Sequence, residues 1–226
     1  VSKEGVNYLQ PSDSFQNLEN GFIYRQVLQS RQGFTKFAPR LAGETRVFGI
    51  FEHILPDSTK QLLAFDQNFA YLWNSGTNTF DQLAFGGSMT GYAGFNITAK
   101  DFYISGTSYP FADNTARFVF TGEGITPNAN GSAVFFFDGT DIKDYTDIGD
   151  NRDYAQPPQG ALIRANYVTW FNGRINFIVP DIAGVSYLQG ILYSGIRDAG
   201  GNGDKFNVPG SGLFQCDTFQ YITGFA

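Results

Sequence analysis

Short apolar runs alternate along this chain with polar segments rich in Asn, Asp, Ser, Thr and Gly. "VFGIF" (47–51), "QLLAF" (61–65), "AYLW" (70–73), "RFVF" (117–120) and "AVFFF" (133–137) are too short for helices. They are rich in the aromatic and aliphatic residues that suit a pleated, half-buried surface. Between them stand segments such as "PDST" (56–59) and "NSGTN" (74–78), where side-chain oxygens and glycine supply the local hydrogen bonds and positive φ of tight turns. This rhythm predicts antiparallel meanders over 43–226. Residues 1–42 are less regular, interrupted by Pro11, Ser12, Asp13 and Ser14, and read as an N-terminal arm with one strand, "FIYRQVL" (22–28).

The runs also repeat. "FDQNFAYL" begins at Phe65, "FNITAKDFYI" at Phe95 and "FNGRINFI" at Phe171, each opening on Phe followed by Asn or Asp and closing on a strand-like run. A second set links a strand, a Gly turn and a further aromatic: "LWNSG" (72–76) leads to Phe80, "FFDG" (136–139) to Tyr145, and "LYSG" (192–195) to Phe206. "YITGF" (221–225) echoes "YVTWF" (167–171), so a truncated copy is expected near Phe225 and the intact protein is expected to be longer. A small β-meander cannot bury both its faces alone, and meanders stacked around an axis solve that problem and the problem of exposed edges together. The expected fold is all-β, an irregular β-propeller-like array of antiparallel meanders; uneven spacing between the copies leaves a bent sandwich as the alternative.

Composition sharpens this picture. With 24 Phe, 12 Tyr, 27 Gly and only 16% charged residues, the chain is unlike a helical bundle. Its formal net charge of −6 argues against an electrostatic grip on nucleic acid, which needs a clustered basic face. Cys216 is the only cysteine, so neither an intrachain disulfide nor a Cys-rich zinc site is available. No apolar stretch is long enough for a helical membrane span, and "VSKEGVNY" (1–8) has no signal-peptide pattern.

The search for chemistry returns little. The single histidine, His53, lies in the strand-like "FEHIL" (51–55) and reads as an ordinary strand residue; "GSMTG" (87–91) and "PGSG" (209–212) miss the G-x-S-x-G spacing. Phosphate-cradling and zincin motifs are absent. "DYTDIGDNRD", from Asp144 to Asp153, offers oxygen ligands for calcium, against the simpler reading of a solvated loop. Trp73 and Trp170 each adjoin a repeat, where a core or inter-blade aromatic is the simpler role. "NSGTNTF" (74–80) lacks the aspartate and tryptophan of the sialidase Asp-box turn that it faintly resembles. Asn96 and Asn130 head glycosylation sequons of a kind common by chance. No catalytic, cofactor-binding or metal-binding residue is assigned.

The order "NGFIYRQVLQSRQGF" (20–34), "RVFGIFE" (46–52), "KQLLAF" (60–65) and "AYLWN" (70–74), with an Arg-x-Gly segment at Arg31 to Gly33, resembles the opening of tail nozzle proteins of short-tailed phages. The muzzle proteins of crAss-like phages are similar in kind. The resemblance implies a non-enzymatic virion protein with a β-propeller, assembled as a ring, usually sixfold, beneath portal and adaptor. It implies a DNA exit channel and a platform for tail fibres, without cofactors. Nozzle subunits are much longer than this chain. An acidic wall suits a conduit, because like charge discourages adhesion of the passing phosphates. On this reading the polar loops 121–130 and 197–205 make intersubunit or fibre contacts. The alternative is a carbohydrate-binding or glycoside-cleaving β-propeller on a virion or bacterial surface, which predicts a deep pocket with converging carboxylates and an exposed Trp73 or Trp170. A further rival is an adhesion or scaffold propeller of a secreted protein.

Overall fold

The computed structural model describes residues 21–24, 27–30, 37–43, 46–97, 103–110, 115–129, 131–148, 153–154, 160–195, 205–206, 208 and 210–215. Within these limits the protein is all-β, as the alternating runs predict. The chain divides into two compact units, Val1–Phe37 and Ala38–Ala226.

In the first unit, β1 (Gly21–Tyr24) and β2 (Val27–Ser30) form an antiparallel hairpin with Tyr24 opposite Val27. The single strand expected over 22–28 is therefore two, because the chain reverses in its middle. Alternating side chains cannot distinguish one strand from two short ones joined by a tight turn.

Among the described residues of the second unit, three antiparallel sheets follow one another in chain order. The first is β3 (Gly49–Ile54), β4 (Lys60–Phe65), β5 (Ala70–Asn74) and β6 (Thr79–Gln82). The second is β7 (Ser105–Pro110), β8 (Ala116–Thr121), β9 (Val134–Phe137) and β10 (Ile142–Asp144). The third runs in the order β11 (Asp153–Tyr154), β12 (Gly160–Phe171), β13 (Arg174–Ile182), β15 (Gly190–Tyr193), β16 (Gly212–Gln215), with β14 (Val185–Ser186) paired to the end of β13. Each is an up-and-down meander in which the main strands pair in chain order, the two-residue β14 being a side pairing on β13.

The two sets of sequence repeats fare differently. "LWNSG", "FFDG" and "LYSG" all close the third main strand of a sheet: β5, β9 and β15. The copies at Phe65, Phe95 and Phe171 are not equivalent. Phe65 ends the second strand of its sheet and Phe171 the first strand of another. Phe95 lies in no strand; it is buried on the connection from the first sheet to the second, where its amide N–H donates to the Asn68 carbonyl at 3.0 Å. A Phe-Asx pair marks the end of a strand in two of the three copies and a crossing connection in the other. The copy expected near Phe225, the Arg31 to Gly33 segment and most of the 197–205 loop lie outside the described residues.

The middle sheet is buried on both faces, which explains its unbroken apolar runs. Phe118, Phe120, Phe135 and Phe137 meet Leu63, Phe65 and Ala70 of the first sheet, with Met89, Phe95, Ile97 and Ile104 of the connection filling in. Phe65 and Phe120 lie 4.8 Å apart between ring centroids. The alternate positions Val119, Val134 and Phe136, with Tyr109, meet Leu162, Ala165, Val168, Ile175, Phe177 and Leu192 of the third sheet. The connection is anchored at both ends of its course. Ile97 N–H donates to the Gln67 carbonyl at 3.0 Å, and a parallel bridge joins Phe85 to Ile142.

A cleft at the ends of the first strands

The first long strands of the three sheets, β3, β7 and β12, lie beside one another. Hydroxyls on the middle one stitch them together. Ser108 Oγ accepts from the Ile54 amide at 3.1 Å and lies 2.9 Å from His53 Nδ1, while Ser105 Oγ accepts from the Val168 amide at 3.0 Å. Side chains thus do between sheets what backbone ladders do within them. Deeper in, Thr121 Oγ1 donates to the Ala133 carbonyl at 2.9 Å and accepts from the Ala165 amide at 3.2 Å, tying the second sheet to the third.

At the C-terminal ends of these strands is a cleft of about 480 Å³. Among the described residues it is lined by Phe51, Glu52, Ile54, Leu55 and Pro56 from β3 and the turn after it, Gly106, Thr107 and Ser108 from β7, Ala116 and Phe118 from β8, and Trp170 from β12. Trp170 is 42% exposed, and its ring stands edge-on to buried Tyr109 at 6.0 Å and 86°. Of the two roles expected for Trp170, the one between sheets holds and the core one does not: one position from the end of β12 and paired with Ile175, it lies against Tyr109 of the second sheet with part of its surface open. Trp73 does not line the cleft; half-buried in the first sheet, it packs on Phe80 at 5.2 Å. Next to Trp170, Phe171 is 72% exposed ahead of a tight turn in which Asn172 and Gly173 take φ of 52° and 72°.

His53 does not line the cleft. It is fully buried behind Ser108, with Phe118 and Phe137 edge-on at 6.0 and 5.9 Å, and its Nε2 makes no hydrogen bond. Burial pushes its pKa down to about 4, so the ring is neutral at pH 7. The reading of His53 as a strand residue holds, although its contact with another sheet was not legible. Glu52 is the one carboxylate among the described residues lining the cleft, and Lys60 pairs with it at 3.0 Å. A glycosidase pair needs two carboxyls flanking one bond, and among the described residues the cleft presents one.

The acidic run divides. Asp144 is fully buried and accepts from Asn128 Nδ2, so it serves the core. Asp147 is exposed and accepts from the Ser88 amide at 3.0 Å. Among the described residues no three His, Cys, Asp or Glu side chains come together as metal ligands. Asp150 lies outside the described residues, as does the side chain of Asp153. Asp66 is likewise internal. It accepts from the Asn68 and Phe69 amides, both at 2.8 Å, and from Tyr71 Oη at 2.7 Å; burial, then this bond, pushes Tyr71 up to about 12.

The chain matches no family model, no curated protein and no solved structure. The cleft is therefore read from its own side chains. Among the described residues no helix is long and apolar enough to cross a membrane. The serines that join the first strands escaped the sequence reading, since "SGTSYP" (105–110) carries no motif and its hydroxyls acquire partners only when the sheets stack.

Proposed function

We propose that this chain is a non-catalytic structural subunit of a phage tail, of the nozzle or muzzle kind that residues 20–74 resemble. It would help to wall the DNA exit channel and carry fibres. The observation that carries this reading is the order of the stack. β3, β7 and β12 lie together along one edge, and each later strand of a sheet lies further from it, as in blades set around an axis. The far face of the first sheet supports it as well. Ile50 and Ile54 are exposed there, while Leu62, Trp73 and Phe80 stay half-covered, a surface suited to a further sheet or to a neighbouring subunit of a ring. The net charge of −6 suits a wall past which DNA slides.

Native mass spectrometry and electron microscopy of the purified source protein test this reading. A closed ring, sixfold by the resemblance, with no retention of duplex DNA at physiological salt is the expected result; a monomer at every concentration reached overturns it. A second reading, carbohydrate binding, is favoured by the exposure of Trp170 inside the cleft. Its glycoside-cleaving form would need a second carboxylate beside Glu52, and the described lining holds none.

A further inference from the structure

We propose that the cleft at the ends of β3, β7 and β12 binds an uncharged pyranose unit of an oligosaccharide, with Trp170 as the platform on which the ring stacks. The inference rests on the carbohydrate-binding reading and specifies its site and ligand. At about 480 Å³ the cleft has the size of a small-molecule site. Its lining is mostly apolar, from Ile54, Leu55, Pro56 and Trp170, with Glu52 and Thr107 among these residues; the Thr107 hydroxyl donates to the Ser108 carbonyl at 3.5 Å and keeps its lone pairs to accept from a ligand. A pyranose has the matching duality, C–H faces for the indole and a perimeter of hydroxyls for the polar groups. A plain hydrocarbon would strip water from Glu52 and Thr107 without replacing their hydrogen bonds.

The platform is held in place. Buried Tyr109 braces the indole edge-on, while Trp170 keeps 42% of its surface exposed, so little side-chain freedom remains to be lost on binding. Charge selects among sugars. Lys60 offsets part of the Glu52 charge in the lining, but among the described residues no cationic side chain lines the cleft and the chain carries a net −6, so uronic and sialic acids are disfavoured against neutral rings. Ser108 already accepts from the Ile54 amide and adjoins His53, and His53 is sealed behind it, so the site binds without a proton-transferring group at its floor.

Trp73→Phe leaves Trp170 as the only tryptophan, and its emission reports on the cleft. In that background, maltohexaose, cellohexaose and chitohexaose are titrated to ~10 mM, since a single stacked ring gives affinities near the millimolar range. At least one is expected to shift the emission saturably, with hexagalacturonate at least about tenfold weaker. By calorimetry, Trp170→Ala is expected to weaken binding at least about tenfold, and Thr107→Val to weaken it with the melting temperature unchanged. Binding that survives Trp170→Ala in a folded protein overturns the site and leaves carbohydrate binding standing. Preference for hexagalacturonate overturns the neutral-ring assignment, and no binding of any of the four sugars overturns inference and reading together. Ring assembly by Trp170→Ala is a separate readout that bears only on the tail proposal.

Discussion

His53 Nδ1 on the first sheet lies 2.9 Å from Ser108 Oγ on the second, and nothing hydrogen-bonds the far nitrogen of the ring. The imidazole is thus a neutral polar plug in an aromatic seam, held in place by one hydroxyl and two phenyl edges.

Protonation of this ring is disfavoured in the folded state, which sets the sign of a pH effect. The unfolded chain takes up the proton near 6.5, whereas the folded chain does so only near 4. Stability contributed by the neutral ring is complete above about pH 6.5 and falls as pH drops towards 4, below which the loss levels off. Thermal melts from pH 7.5 to 4 should show a decline that His53→Phe reduces. An equal decline in that variant would place the effect on the carboxylates instead.

Ser108→Ala and Ser105→Ala each remove the acceptor of a first-strand amide, that of Ile54 and that of Val168. Each should cost about 1–2 kcal/mol in denaturant midpoint analysis, Ser108 the more because it also abandons His53. The two effects should add, because the serines serve opposite neighbours. Strong coupling between them would mean that the three sheets shift as one body.

Asp66→Ala should be the most damaging polar substitution. It strips the acceptor from two amides and the Tyr71 hydroxyl in a site that is 1% exposed. A loss of about 2–4 kcal/mol is expected, with Tyr71→Phe costing about 1–2. Absorbance titration of the native protein should find Tyr71 ionising near 12, with Tyr92 and Tyr103 also pushed up by burial; Tyr71→Phe should remove one of these late-ionising groups, and unfolding should return all of them to the ordinary range.

Gly173→Ala places a side chain at φ 72°, in the Asn-Gly turn joining β12 and β13. The expected loss is about 1 kcal/mol, from strain in the left-handed region. Hydrogen exchange should quicken first in the hairpin amides near the turn; a uniform change across all three sheets would count against a local effect.

The strands of "QLLAF", "AYLW", "RFVF" and "AVFFF" were legible because each has a short apolar run bounded by turn formers, and that signal is local. The three third-strand turns were legible for the same reason. One apolar run in the arm reads as one strand where the structure has two, and Phe95 reads as the start of a repeat copy equivalent to those at Phe65 and Phe171, because a Phe-Asx pair looks alike at a strand end and on a crossing connection. The partial exposure of Trp170 was not legible, because a tryptophan next to a strand repeat is covered or bare according to what stacks over its face of the sheet, which residue type does not encode.

Composition and the spacing of apolar runs were enough to specify antiparallel meanders, a phenylalanine-rich interior and the absence of familiar catalytic motifs, since these follow from interactions between residues close in the chain. Which sheet lies in the middle, which serine meets which neighbouring strand, and that Ile54, Thr107 and Trp170 share one cleft were settled only when the sheets stacked. Those contacts span 50 residues and more of intervening chain, and no local preference of the backbone specifies the partner across the gap.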